Sequence, residues 1–554
     1  MPVITLDRER FSRFVGHPMT IEEMAEELPW IGFDIEERGI DYLKVEFNPN
    51  RIDFSSYAGI ARAVQGIKEW KTGIIRYSVH DSGILLKIEE SVQEVRPYML
   101  GAVVKDIQLD EADVKELMDI QEDLHWGIGR DREKASIGVH NLDKVKPPFT
   151  YLAAHPEETT FVPLNKEEKM TLKEILQKHE KGTAYSHLID WAPRYPLLVD
   201  KEGDPLSMPP IINSQRTRVD TQTRNLFLDV TGVTFKAVEQ ALNVLATALA
   251  DMGGTIQSVE VRYPDRTVVS PDLTPQKMKL HQSYVNKLLG LKLSKESIVA
   301  CLEKCRLEAR KTELGYIEVE IPAYRIDILH EVDLVEEVAI GYGYYRLEPT
   351  KPQAVTTGEL QESTKLANLV RQIMIGLGYT EVMNFMLTNS NLQFERMKRT
   401  GEEHIKISNP SSSEYDIART TLLPSLMANL RDNRHRRFPQ RIFEVSDVIE
   451  VNMEVETRSQ RNLHLAGVAS HPTASFTEVK SIVEALIADL GYQQWRIEPA
   501  THPSCIKGRA AAIHFPNQSI GFLGEIHPQV LNNFELENPA CGFEINLEPL
   551  LKKT

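Results

Sequence analysis

The tightest constraint on the fold sits at residues 225–254. A strand-like run, Asn225-Leu226-Phe227-Leu228-Asp229-Val230-Thr231, leads directly into a helical pattern over 235–252 with Ala, Val and Leu at helical spacing. Gly253-Gly254 then stop the helix, since glycine accepts the left-handed backbone that closes a helix. A strand that feeds an apolar helix points to a mixed α+β unit, placed here at 95–262.

Other modules flank it. At roughly 150 residues per domain, 554 residues make about four domains. Over 1–94, Thr20-Ile21-Glu22-Glu23 has the pattern of a capping box, and Tyr42-Leu43-Lys44-Val45-Glu46-Phe47 alternates as a strand does. The turn-rich Asn48-Pro49-Asn50-Arg51-Ile52-Asp53 and the helical run 59–64 complete a compact α+β module. With two prolines and mixed polarity, 263–273 reads as a linker. Over 268–350, helices near 276–289 and 295–306 followed by two strands resemble a winged or helix-turn-helix module. After a linker at 349–358, the segment 356–554 reads as a mostly antiparallel sheet with flanking helices, including 365–375 and 478–490. The fold class is therefore α+β multidomain.

Composition narrows the function. The N-terminus, MPVITLDRERF, puts charges where a signal peptide carries its apolar stretch, and no run of about 18 apolar residues suggests a membrane span, so a cytoplasmic protein is predicted. A net charge of −16 argues against non-specific coating of nucleic acid but allows a local basic patch. Of the four cysteines, Cys301 and Cys305 lie one helical turn apart with no second ligand pair, which reads as reduced thiols rather than zinc.

Three phrases carry a family resemblance. They are Asn48-Pro49-Asn50-Arg51-Ile52-Asp53; Pro322-Ala323-Tyr324-Arg325-Ile326-Asp327, continuing through Asp333 to Tyr344; and Asn409-Pro410 with Arg419-Thr420-Thr421-Leu422-Leu423-Pro424. In this order they resemble the beta-subunit family of archaeal/eukaryotic-type phenylalanyl-tRNA synthetases. The chain's end soon after the synthetase-like region suits that type rather than the longer bacterial one. The resemblance implies an editing domain at 95–262, a catalytically inactive class II synthetase-like domain at 356–554, and an alpha2-beta2 tetramer whose alpha subunit activates phenylalanine with ATP. It implies tRNA(Phe) as a partner and no membrane association.

Two constellations become candidates. Asp333, Glu336 and Glu337 share a helix face, and Asp327 lies nearby. Carboxylates in a first helical turn also oppose the helix dipole and cap it, but the resemblance implies that these four bind Mg2+ near the alpha subunit. The resemblance also marks an editing pocket that hydrolyses mischarged Tyr-tRNA. Asp229 and Thr231 would orient the aminoacyl end, Asn213 and Ser214 would meet the hydroxyl or attacking water, and Leu197, Ser207 and His140 would bind substrate. An Asp-x-Thr at a strand end also simply caps backbone groups. With no Ser-His-Asp order in the sequence, water attack assisted by the tRNA is predicted.

A third region is basic. Arg431-Asp432-Asn433-Arg434-His435-Arg436-Arg437 fits a tRNA or subunit contact and equally a solvated helix end. The last arginine is Arg509, so the late arginine that class II enzymes set against ATP is missing. Two alternatives remain beside an editing and scaffolding subunit: a free-standing aminoacyl-tRNA deacylase, and a DNA-binding protein built on the winged module. The near-balance of charge over 295–306 weighs against the latter.

Overall fold

The strand–helix pair forms as the sequence predicts. Leu226–Gly232 is a strand with every residue buried. Phe235–Asp251 is a helix with Val238, Leu242, Leu245 and Leu249 fully buried, each worth about 2 kcal/mol of apolar burial. Gly253 follows with φ +100°. The computed structural model describes residues 2–351, 356–400, 402–516 and 518–551, in two compact units that part after Lys351.

In the first unit this helix lies on a ten-stranded sheet. Nine strands follow in spatial order, Ile212–Asn213, Pro205–Met208, Tyr195–Val199, Phe149–Ala154, His80–Ile88, Thr255–Arg262, Tyr98–Lys105, Leu226–Gly232 and Ala135–Asn141, and the tenth, Thr267–Ser270, pairs with Thr255–Arg262 off this path. Pairing is antiparallel except where His80–Ile88 runs parallel to both of its neighbours. The sheet thus draws on residues to either side of position 94. Strand twist curls it until its two margins meet. Asn213 Nδ2 donates to Val139 O at 3.4 Å, and the Thr217 hydroxyl lies 2.8 Å from His140 Nδ1.

Two expected segments differ. The predicted linker contains the strand Thr267–Ser270, antiparallel to Thr255–Arg262. Its β-branched Thr267, Val268 and Val269 suit a strand, and Ser270 Oγ donates to Gly101 O at 2.7 Å. The helix expected from 276 begins at Gln282, because Gln276–Leu280 forms a strand against Ile317–Ile321. With Glu308–Lys311 these make the three-stranded sheet of the winged-helix-like module.

The capping box at Thr20 is present, with Glu23 bonding back to the Thr20 amide. The Phe11, Phe47 and Phe54 side chains join the same hydrophobic core as the large sheet. Two of the recognition phrases also meet. Arg51 grips Asp53 at 2.9 and 3.0 Å, Arg325 grips Asp327 at 2.9 and 2.7 Å, and Arg51, Asp53 and Arg325 line one small cavity with Tyr324. In the folded chain these phrases brace one module against another.

The second unit is a seven-stranded sheet, ordered Thr380–Glu381, Gln440–Val451, Ser459–Ser470, Ala540–Asn546, Gln518–Ile526, Cys505–Phe515 and Arg496–Pro499. It is antiparallel except for its first pair. Helices Glu362–Gly376 and Phe476–Asp489 share one hydrophobic core, and Leu423–Asp432 and Pro528–Asn533 share another. Among the described residues no helix is long and apolar enough to cross a membrane.

Candidate functional site

Where the margins of the large sheet meet, a cavity of about 460 Å³ opens, within the range of small-molecule sites. Val114 and Met118 from the helix Glu111–Trp126 and Ile137 and Val139 from the edge strand give it apolar walls. Asn213, Glu122 and Lys166 add polar groups.

A buried chain of hydrogen bonds ends on its wall. Asp229 Oδ1 lies 2.6 Å from His140 Nε2, and His140 Nδ1 lies 2.8 Å from Thr217 Oγ1. Asp229, His140 and Thr217 are all buried, and Thr217 is a cavity-lining residue. When the carboxylate accepts from Nε2–H, Nδ1 is left facing the Thr217 hydroxyl, whose oxygen also lies 3.1 Å from Ser214 O. Glycines make room for this: the cross-strand neighbours of Asp229 are Gly101 and Gly138. A methyl group at position 138 would overlap the Asp229 carboxylate.

The remaining candidates lie around the cavity rather than in it. Thr231 Oγ1 accepts from Arg96 Nε at 2.9 Å and lies 2.9 Å from Ser136 Oγ. Ser214 caps the turn Gln215–Thr217. Leu197 packs with Phe161 and Met208. Ser207 Oγ is buried without a hydrogen-bond partner among the described residues. Of the seven residues singled out, Asn213 alone lines the cavity.

Sequence reasoning passed over His125, Glu122 and Arg132. His125 Nε2 accepts the Ile137 amide at 2.8 Å, which fixes the proton of the neutral ring on Nδ1, and burial makes the imidazole less basic than usual. Arg132 Nη2 donates to Glu122 Oε1 at 2.8 Å. Arg130, Asp131 and Arg132 all hold left-handed backbone, with φ of 46°, 53° and 69°, at a cost on the order of 1–2 kcal/mol per residue. Nothing in their composition signals that turn.

The second unit has a different buried polar centre. Arg419, its side chain 1% exposed, donates to Glu444 Oε1 at 2.8 Å, Ser446 Oγ at 2.6 Å and Asp447 O at 2.9 Å. Asn384 Nδ2 takes the other Glu444 oxygen at 2.7 Å. The third recognition phrase thus supplies an internal ion pair. In the basic stretch, Arg434 pairs with Glu535 and Arg431 with Asp432.

Comparison with known proteins agrees with this layout. Residues 106–248, which contain every cavity-lining residue, match the B3/4 domain model. Residues 278–344 match the tRNA synthetase B5 domain, and 347–547 match the phenylalanyl tRNA synthetase beta chain CLM domain. The phenylalanine–tRNA ligase beta subunit of Methanocaldococcus jannaschii is 42% identical over 99% of this chain and 100% of its own length. The chain belongs to the phenylalanine–tRNA ligase beta-subunit family. The Archaeoglobus fulgidus beta subunit is likewise 42% identical, over 99% of this chain and 98% of its own. Among solved structures, an N-terminal fragment of the Pyrococcus horikoshii phenylalanyl-tRNA synthetase beta subunit is similar at a TM-score of 0.60 and 39% identity, covering 62% of this chain and 99% of that one.

In this beta-subunit family member, three of the four carboxylates expected to hold Mg2+ have partners within the chain. Arg325 binds Asp327 through both oxygens and Glu337 at 2.6 and 3.0 Å. Asp333 Oδ2 accepts the Leu329 and His330 amides at 2.7 Å, the capping role open to it from sequence. Glu336 stays exposed, its carboxyl held above the usual range by partial burial and by the neighbouring carboxylates Glu337, Asp333 and Asp327. Among the described residues no three His, Cys, Asp or Glu side chains are grouped to hold a metal ion. Within this chain three of the four carboxylates are thus held by Arg325 or by backbone amides, and Glu336 is the one left facing solvent. Cys305 Sγ donates to Glu337 O at 3.2 Å. Glu337→Ala, which leaves the buried guanidinium with Asp327 as its remaining carboxylate partner, is expected to destabilise the full chain by about 1–3 kcal/mol in urea unfolding.

Proposed function

We propose that the chain works as the beta subunit of phenylalanine–tRNA ligase, joined to an alpha subunit in an alpha2-beta2 tetramer that charges tRNA(Phe) with phenylalanine using ATP. In this reading the chain supports alpha, does not form the adenylate itself, and hydrolyses tyrosine from mischarged tRNA(Phe). Membership of the family supports the ligase role. The observation that carries the hydrolytic role is the Asp229–His140–Thr217 chain ending on the wall of a cavity that Asn213 also lines. A carboxylate, an imidazole and a hydroxyl in hydrogen-bonded order can take up a proton as an ester carbonyl is attacked. The apolar walls suit an aromatic side chain.

For the adenylating step, Arg509 is the last arginine, and its exposed guanidinium is spent on half-buried Glu525, 2.6 Å away. The pure chain is therefore expected to show no phenylalanine-dependent ATP–pyrophosphate exchange, with exchange appearing once alpha is added. Exchange by the chain alone would overturn the non-adenylating role. The hydrolytic role is tested by tyrosine release from Tyr-tRNA(Phe): the complex with alpha should release it well above the spontaneous rate. Release by the chain alone at the same rate would favour a free-standing deacylase.

A further inference from the structure

The left-handed run at 130–132 lies in the connection between the helix Glu111–Trp126 and the edge strand Ala135–Asn141. Residues other than glycine adopt this backbone singly, rarely three together. It is tied down from both sides. The buried Arg96 guanidinium donates to the carbonyls of Arg132 at 3.0 Å and Glu133 at 3.2 Å, and the Arg132 amide donates to His125 O at 3.2 Å.

What the turn delivers is the Arg132 side chain, which crosses the seam of the sheet. Nη1 donates to the carbonyls of Pro210 at 3.2 Å and Ile211 at 3.0 Å, while Nη2 holds Glu122. The guanidinium lies 4.5 Å from the centre of the Tyr185 ring. Pro210 and Ile211 form the turn that leads to Asn213, and both Arg132 and Asn213 line the cavity. The direct link from Asn213 to Val139 is long, at 3.4 Å, so Arg132 makes the firmer tie. We propose that Arg132 is a positioning residue that holds the 209–214 turn, and with it the Asn213 amide, at a fixed place in the cavity for hydrolysis of the aminoacyl ester. This rests on the cavity being the hydrolytic site proposed above. Lysine cannot replace the planar fork, since one ammonium does not span two carbonyls and a carboxylate in that geometry.

The test uses the full complex with alpha and follows tyrosine release from Tyr-tRNA(Phe), with phenylalanine charging and the melting temperature as controls. Arg132→Lys is expected to lower kcat by about 10- to 100-fold with little change in KM, the cost of small misplacement. Because it acts through Asn213, the Arg132→Lys/Asn213→Ala double variant should be no slower than Asn213→Ala alone. Ethylguanidinium should restore part of the activity of Arg132→Ala. Additive losses in the double variant, an unaffected Arg132→Lys, or an unaffected Asn213→Ala would each overturn the inference while wild-type release continues. A wild-type complex that releases no tyrosine would instead overturn the reading of the cavity itself. If Arg132→Ala does not fold, the Lys variant and the double-variant comparison decide the matter.

Discussion

Arg419→Ala is expected to destabilise the second unit by about 3–5 kcal/mol, because it leaves Glu444 charged and buried without its partner. The side chains of both residues are 1% exposed, so water cannot take over. The loss goes beyond the ion pair, since Ser446 Oγ and the Asp447 carbonyl also lose their donor. Among the described residues only Asn384 still donates to the Glu444 carboxylate through its side chain. For a unit of this size the melting temperature should fall on the order of 10 °C. Replacing both partners, as Arg419→Met with Glu444→Leu, should cost much less than either single change, since an apolar pair removes the desolvation penalty along with the attraction. Thermal unfolding of the three variants decides it. A single variant within about 1 kcal/mol of wild type would show that the pair is solvated and dispensable.

That pair also shows what the sequence can and cannot tell. Arg419 was legible as part of a recurring phrase, but its partner is 25 residues away and the bond is non-local. Features set by neighbours in the chain were read correctly. The capping box at Thr20 needs only position i and i+3, and the stop at Gly253 only one backbone angle. Strands were missed where pairing rather than composition makes them. Gln276–Leu280 carries two lysines and is a strand because Ile317–Ile321 lies beside it. For the acidic cluster at 327–337, spacing alone pointed to helix capping and the family resemblance to a cation, and neither shows which partners hold the carboxylates. Arg325, two residues before Asp327, claims two of the four.

The candidate site shows the same limit. Asp229 and His140 lie far apart in sequence and meet because the strands Leu226–Gly232 and Ala135–Asn141 pair. Thr217 joins them only after the sheet has curled so that its first and last strands touch. An Asp–His–Thr order is therefore present in space though absent along the chain. Of the expected residues off the cavity wall, His140 and Ser214 contact Thr217, and Ser207 pairs with Asn213.

From that arrangement follows the largest effect expected on activity: Asp229→Ala should slow tyrosine release from Tyr-tRNA(Phe) by about 10²- to 10⁴-fold, the range that a positioned acid–base group supplies. Under the proposed hydrolytic role, such an activity would correct a pocket shaped for phenylalanine, which discriminates against an added hydroxyl by only about 100-fold. The reverse choice is easier, since a site that hydrogen-bonds a phenol leaves its own polar groups unpaired when phenylalanine enters. Asp229 is buried and not among the cavity-lining residues, so its effect runs through His140. Without the carboxylate, Nε2 loses its acceptor at 2.6 Å, and nothing then holds Nδ1 as the acceptor for Thr217. The loss should appear in kcat with KM nearly unchanged, because Asp229 does not touch the substrate. Asp229→Asn keeps the shape but can donate to Nε2, which favours the tautomer with its proton on Nδ1, so it should be nearly as slow as the Ala variant. Phenylalanine charging by the complex should be unaffected in both. Wild-type release rates in Asp229→Ala, with charging and folding intact, would show that this carboxylate serves the curl of the sheet and that hydrolysis belongs elsewhere.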